Sequence, residues 1–307
     1  MSIALLQLSL GVGLLLMGMQ FLRQGLAGMA RHRFEQILRR AASTPWRGLC
    51  WGTLATALVQ SSTAATVFTV GLVDAGLISF RQSLGLILGA NIGTCVTVQI
   101  LAFDLEELAL PMLLVSLLLL IPARSRPLGL TLLGTGMIFL SLSLLTQALQ
   151  PWREAPALLG PLAAAAASPW QGLLAGVIVT ALLHSSSAVT SLTMILAAQG
   201  LLPLPAALTV VLGANIGTCI TALAAAVFAS RAAQQTALAH FLLNIFGAFI
   251  FLPFLGIISS FLSWLSPSMA RQIAHFHTFF NVATSLAALP LVGALAGVTT
   301  WILPENR

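Results

Sequence analysis

Residues 60–63 read Gln60-Ser61-Ser62-Thr63, and residues 89–95 read Gly89-Ala90-Asn91-Ile92-Gly93-Thr94-Cys95. Both return 124 positions later, as His184-Ser185-Ser186-Ser187 and Gly213-Ala214-Asn215-Ile216-Gly217-Thr218-Cys219. Laid over each other without a gap, residues 45–97 and 169–221 agree at 26 of 53 positions. Agreement that dense, at one fixed offset, marks an internal duplication of a helical membrane unit. The repeated element is polar and glycine-bearing, and it sits inside otherwise apolar chain.

Composition sets the surroundings. The 307 residues are 58% hydrophobic and 7% charged, with mean hydropathy +1.01. A soluble domain carries about a quarter charged residues; this chain cannot cover a water-facing surface and belongs in a lipid bilayer. The net charge of +6 is carried by arginine without any lysine. Its arginines are read as lying between apolar runs, where they report orientation rather than nucleic-acid binding. Cys50, Cys95 and Cys219 show neither disulfide nor metal-ligand spacing.

In chain order, residues 3–22 are one bilayer's worth of apolar chain. With no basic start and no small-residue cleavage site, they read as a retained span. Residues 23–47 hold Arg23, Arg31, Arg33, Arg39, Arg40 and Arg47, with Leu26, Met29, Phe34, Ile37 and Leu38 at helical spacing. That pattern predicts an amphipathic helix on the inner membrane surface. Residues 48–77 are two short apolar arms around the polar break at residues 60–63, which predicts a re-entrant hairpin. Residues 83–103 are long enough to cross, but carry Asn91 and Gly93 at their middle, which predicts a broken helix there. An acidic loop at 104–107, spans at 109–122 and 128–149, and a proline-bearing connector at 150–169 follow. The second copy predicts a hairpin at 170–201, a broken helix at 206–229, and final spans at 237–257 and 277–303.

Counting crossings with non-crossing hairpins puts the two units in opposite orientations, with the arginines at 23–47, 124, 126 and 231 on the inner side. A hairpin that crossed fully would change that parity. The expected fold is therefore an all-α multi-pass membrane protein of two inverted repeats, residues 1–149 and 170–307. Smaller echoes agree. Met17-Gly18-Met19 resembles Thr135-Gly136-Met137. His240 and Asn244 lie four apart, as do His277 and Asn281, and Pro253 and Pro290 follow at one common distance.

The side chains available inside the apolar runs are Gln60, Ser61, Ser62, Thr63, Thr66, Asn91 and Thr94, with His184, Ser185, Ser186, Ser187, Thr190, Asn215 and Thr218 from the copy. Hydroxyl and carbonyl oxygens are hard ligands that suit Na⁺. Exposed N–H groups at helix ends suit an anion without an arginine. A Ser-His catalytic reading fails, because no acid orients His184 and the first copy has Gln60 there; no enzyme activity is expected. Asp74 is the nearest carboxylate, and its counterpart is Ala198. Each His-x-x-x-Asn pair shares one helix face and serves either interhelical bonding or the site's lining.

Two Gln-Ser-Ser-Ser-like tips, each followed by Gly-Ala-Asn-Ile-Gly-Thr, resemble the type II sodium/phosphate cotransporter family over nearly the whole chain. The resemblance implies Na⁺-coupled movement of inorganic phosphate, in the cell (inner or plasma) membrane, between two hairpin tips exposed alternately to each side. Na⁺ would be the coupling ion and no other cofactor is implied. By motif match, residues 60–63 and 184–187 would hold phosphate and Na⁺, with Asn91, Thr94, Asn215 and Thr218 lining the same centre. His184 in place of glutamine and Thr63 in place of serine depart from the pattern. Some bacterial relatives carry a regulatory domain after the membrane part; with the chain ending at Arg307, none is expected here. Another small anion, or a passive pore, is the alternative reading.

Overall fold

The computed structural model describes residues 2–41, 44–103, 105–152 and 156–304. Among them every regular element is helical. In chain order these are α1 (Ser2–Ala41), α2 (Pro45–Val59), α3 (Ser62–Asp74), α4 (Phe80–Leu101), α5 (Ala109–Leu120), α6 (Arg126–Leu149), α7 (Pro156–Ala167) and α8 (Pro169–Leu183). They continue with α9 (Ser186–Ala198), α10 (Leu204–Ala226), α11 (Arg231–Phe251), α12 (Leu255–Leu265), α13 (Met269–Ala288) and α14 (Val292–Ile302). Five helical stretches are long and apolar enough to cross a bilayer: Leu6–Met29, Phe80–Leu101, Arg126–Leu149, Leu204–Ala226 and Arg231–Leu265. The pair α13–α14 would make a sixth. The chain is a multi-pass helical membrane protein.

The two motif regions fold alike. α2 and α3 meet at a break at Gln60–Ser61, and α8 and α9 at a break at His184–Ser185. Both second helices end on a left-handed glycine, Gly76 (φ 68°) and Gly200 (φ 72°). The N–H of Leu77 reaches back to Leu72 O, and that of Leu201 to Leu196 O, both at 2.9 Å.

The breaks expected in residues 83–103 and 206–229 are absent: α4 and α10 run unbroken through Asn91 and Asn215. Their glycines serve contact instead. A Cβ at Gly93 would stand 2.6 Å from Thr53 O on α2, and one at Gly217 would stand 2.6 Å from Val177 O on α8. Only glycine lets the backbones approach this closely, the small-x-x-x-small arrangement of membrane helices. Gly11, Gly18 and Gly25 of α1 lie against α6 in the same manner.

Other boundaries also differ from the sequence expectation. α1 is one 40-residue helix, so the span and the surface helix are continuous through Ala41. Its amphipathic face over residues 30–41 lies outside the described side chains, residues 42–43 lie outside the described residues, and Arg47 belongs to α2. α5 has 12 residues, about 18 Å, too short to cross. The connector holds α7. The last expected span, 277–303, is two helices bent by 85° at a break that holds Pro290, a residue that cannot continue a helix. His277 falls mid-helix on α13. Asp104 of the acidic loop lies outside the described residues.

The copies interlock. α3 packs against α10 and α11 through Val70, Leu72, Val73, Ala222, Ala226 and Ala233. α9 packs against α1, α4 and α6 through Ala188, Ile195, Leu15, Leu101 and Phe139. Their bases lie at opposite ends of α4. Pro45 and Asp74 adjoin its start, where a Cβ at Gly85 would meet Pro45 O. Ala198 shares a cavity with Leu101 and Phe103 at its end.

Candidate functional site

Each break is made by one non-glycine residue in the left-handed region, Gln60 at φ 55° and His184 at φ 52°. Among non-glycine residues this conformation costs roughly 1–2 kcal/mol. The next residues, Ser61 and Ser185, return to extended backbone and cap the following helices. Their hydroxyls accept from the N–H groups of Ala64 (3.1 Å) and Ala188 (3.3 Å). The first backbone N–H groups of α3 and α9, at Ser62–Thr63 and Ser186–Ser187, have no carbonyl one turn earlier and open into the breaks. Ser62, Ser186 and Ser187 are buried, and Thr63 is half-buried.

Gln60 is tied down by its side chain. Thr97 donates its hydroxyl to Gln60 Oε1 at 2.5 Å, and Gln60 Nε2 donates to Ala57 O. His184 repeats the first bond, with Nδ1 3.1 Å from the hydroxyl of Thr221. Thr97 and Thr221 are equivalent positions of the two copies. The histidine therefore keeps the tether, but it is exposed where Gln60 is buried.

One turn of α1 meets both tips. Ser185 donates to Met19 Sδ at 3.8 Å, and Arg23 Nε donates to Gln60 O at 3.1 Å. Residues four apart lie on one helix face, so the two tips gather at a shared place.

The asparagines take a different station. Asn91 Oδ1 pairs with His240 Nε2 on α11 at 3.1 Å, and Asn215 Nδ2 donates to Val211 O within α10 at 3.0 Å. The hydroxyls of Thr94 and Thr218 donate back to Ala90 O (2.9 Å) and Ala214 O (3.0 Å). Cys95 Sγ lies 3.9 Å from His277 O, and Cys219 Sγ lies 3.6 Å from His240 O. Asn244 Nδ2 donates to Cys219 Sγ at 3.4 Å. The His-x-x-x-Asn pairs thus seam α11 and α13 to the long helices. Asn91, Thr94, Asn215 and Thr218 bond to His240 and to carbonyls of their own helices rather than to the tip serines.

Unpaired groups recur in register. Among the described residues, the buried hydroxyls of Thr56, Thr66, Thr180 and Thr190 have no hydrogen-bond partner. Thr56 matches Thr180, and Thr66 matches Thr190. A threonine in a helix usually donates to the carbonyl four residues back, as Thr69 does at 2.8 Å. Leaving a buried hydroxyl unpaired costs roughly 1–3 kcal/mol, so matched pairs of them are candidate ligand groups. Buried Asn91 Nδ2, His240 Nδ1, His277 Nδ1 and Asn281 Oδ1 are likewise unpaired among the described residues.

Thr97, Thr221 and Arg23 were missing from the expected site. The threonines carried a signal, as the last identity of the repeat. Arg23 carried none beyond its membership of an arginine-rich run.

Fold and site together define a helical membrane protein built on a duplicated helix–break–helix unit. The profile described as Na+/Pi-cotransporter matches residues 14–147 and 155–280, and the chain belongs to that family. It is 36% identical over 258 residues to the "Uncharacterized protein YqeW" of Bacillus subtilis (strain 168), covering 83% of this chain and 84% of the relative. It is 31% identical over 267 residues to the "Putative inorganic phosphate export protein YjbB" of Escherichia coli (strain K12), covering 86% of this chain and 49% of that protein. The chain thus spans about half the length of the latter. A 60-residue stretch, 20% of this chain and 9% of the relative, is 45% identical to the "Sodium-dependent phosphate transport protein 2B" of Homo sapiens. No solved structure gives a significant match.

Proposed function

We propose that this protein carries inorganic phosphate across the membrane together with Na⁺, exposing a site between the two tips alternately to each side. The observation that carries the proposal is the matched pair of tips meeting one turn of α1. Each tip has a left-handed break, a capping serine, free first-turn N–H groups and unpaired threonine hydroxyls. Helix N-termini suit an oxyanion, and the hydroxyls of Thr66 and Thr190 suit a hard cation beside it. Na⁺ next to HPO₄²⁻ offsets charge in a medium of low dielectric constant. The family match and the names of the relatives support the substrate class.

Two observations favour inverted repeats and hence alternating access. The hairpin bases lie at opposite ends of α4, and each returning helix clasps the long helix of the other copy. Rocking one unit against the other would then open either end.

Radiolabelled phosphate flux in proteoliposomes, with and without a Na⁺ gradient, tests the proposal. Saturable flux that the gradient accelerates is expected, with sulfate competing weakly. Ser62→Ala and Ser186→Ala should each lower flux at least about tenfold, since each removes a ligand group from an enclosed site. Flux indifferent to Na⁺ in well-folded protein would refute the coupling.

A further inference from the structure

We propose that Arg23 supplies a fixed positive charge to the anion site, with its guanidinium facing the substrate at the first tip; this rests on the phosphate reading above. Arg23 lies within the apolar stretch Leu6–Met29 of α1 and is half-buried. A charge at such a position is costly and needs compensation. Among the described residues its polar contact is a single hydrogen bond, Nε to Gln60 O at 3.1 Å.

A guanidinium carries five N–H donors in one plane. One is spent on Gln60, and the donors on the two terminal nitrogens are left over at the break. The neighbouring groups at that break are the Ser62 hydroxyl and the N–H groups of Ser62 and Thr63, which precede the capped Ala64 N–H and have no carbonyl one turn earlier. All can donate, the hydroxyl being able to accept as well, and an acceptor bearing negative charge is the partner that would satisfy them together. A planar fork beside a helix N-terminus fits two oxygens of one tetrahedral oxyanion.

At the second tip α1 places a neutral residue, Met19, whose sulfur accepts from Ser185. The two tips are therefore electrostatically unequal, and the anion belongs nearer the first. A neutral donor would suffice merely to hold the Gln60 carbonyl, so the charge is surplus to a structural clamp. A resident positive charge also lowers the number of Na⁺ ions needed to neutralise a divalent phosphate.

The test compares wild type, R23Q and R23K in proteoliposomes at saturating Na⁺, reading phosphate KM, kcat and the Na⁺ concentration dependence, with thermal stability measured in detergent. R23Q keeps a donor for Gln60 O and loses the charge. Its phosphate KM should rise about ten- to hundredfold, the range for losing a charged hydrogen bond. R23K should recover part of that loss. An R23Q KM equal to wild type overturns the assignment while leaving phosphate transport standing. Equal loss of kcat and thermal stability in both variants, with KM unmoved, also overturns it, because it marks a clamp. A wild type that carries no phosphate overturns the functional proposal itself.

Discussion

At the scale of single residues, the tips keep a costly backbone conformation because side chains hold it. Gln60 is bonded through its own amide to Thr97 and Ala57, and its N–H donates to Thr56 O at 2.7 Å. Thr97→Val would leave Gln60 Oε1 without its hydroxyl donor in a buried site. We expect a loss of about 1–3 kcal/mol, read as a lower melting temperature in detergent, and slower phosphate flux. His184→Gln should preserve the bond to Thr221 and with it most of the flux; a collapse of flux would assign the imidazole a role of its own. Asp74 acts at the base of the first hairpin, where it accepts from the N–H of Ser230 at 2.6 Å. That backbone hydrogen bond holds its carboxyl below the usual carboxylate range. A depressed folded pKa contributes stability above the unfolded value, about 3.9, and that contribution is lost as pH falls through the folded value. Thermal unfolding followed from pH 7 to pH 3 should show a smaller acid-side loss in Asp74→Asn than in wild type.

At the scale of elements, the long helices α4 and α10 are continuous because glycine can either break a helix or let another one close in, and here the neighbours decide. Sequence places Gly89, Gly93, Gly213 and Gly217 at the right spacing for both outcomes. The broken-helix expectation failed because the facing stripes on α2 and α8 are themselves small, with Gly52 and Gly176 opposite Leu86 O and Val210 O. Gly93→Val and Gly217→Val should therefore force the helix pairs apart. Overpacking of this kind costs roughly 1–3 kcal/mol, visible as a reduced melting temperature, and equal damage from both variants would fit their equivalent positions. The 85° bend between α13 and α14 had a sequence signal in Pro290. Composition alone could not foresee it, since a run of apolar residues reads the same straight or bent.

At the scale of the molecule, cross-links sort the chain between two ends. Asp74 meets Ser230 at one. At the other, Gln150 Nε2 donates to Gln199 Oε1 at 3.2 Å, and Arg271 lies over the Phe103 ring with its guanidinium carbon 5.3 Å from the centroid. Cysteines placed at Ala75 and Ala198, in a Cys50→Ser background, should react with impermeant reagents from opposite faces of the membrane. Reaction of both from one face would overturn the inverted arrangement.

The duplication, the helical class, the membrane setting and the two polar tips follow from the order of residues alone. A fixed offset of 124 and an unbroken supply of apolar residues survive any folding of the chain. The paired His-x-x-x-Asn segments were legible too, as a repeated spacing. Which polar groups face one another was decided by tertiary structure. Asn91 meets His240 from 149 residues away, and Arg23 meets Gln60 because α1 lies across the break. Such partners carry no local signature, because a hydrogen bond depends on where two helices are brought together and a sequence records only what each helix could offer.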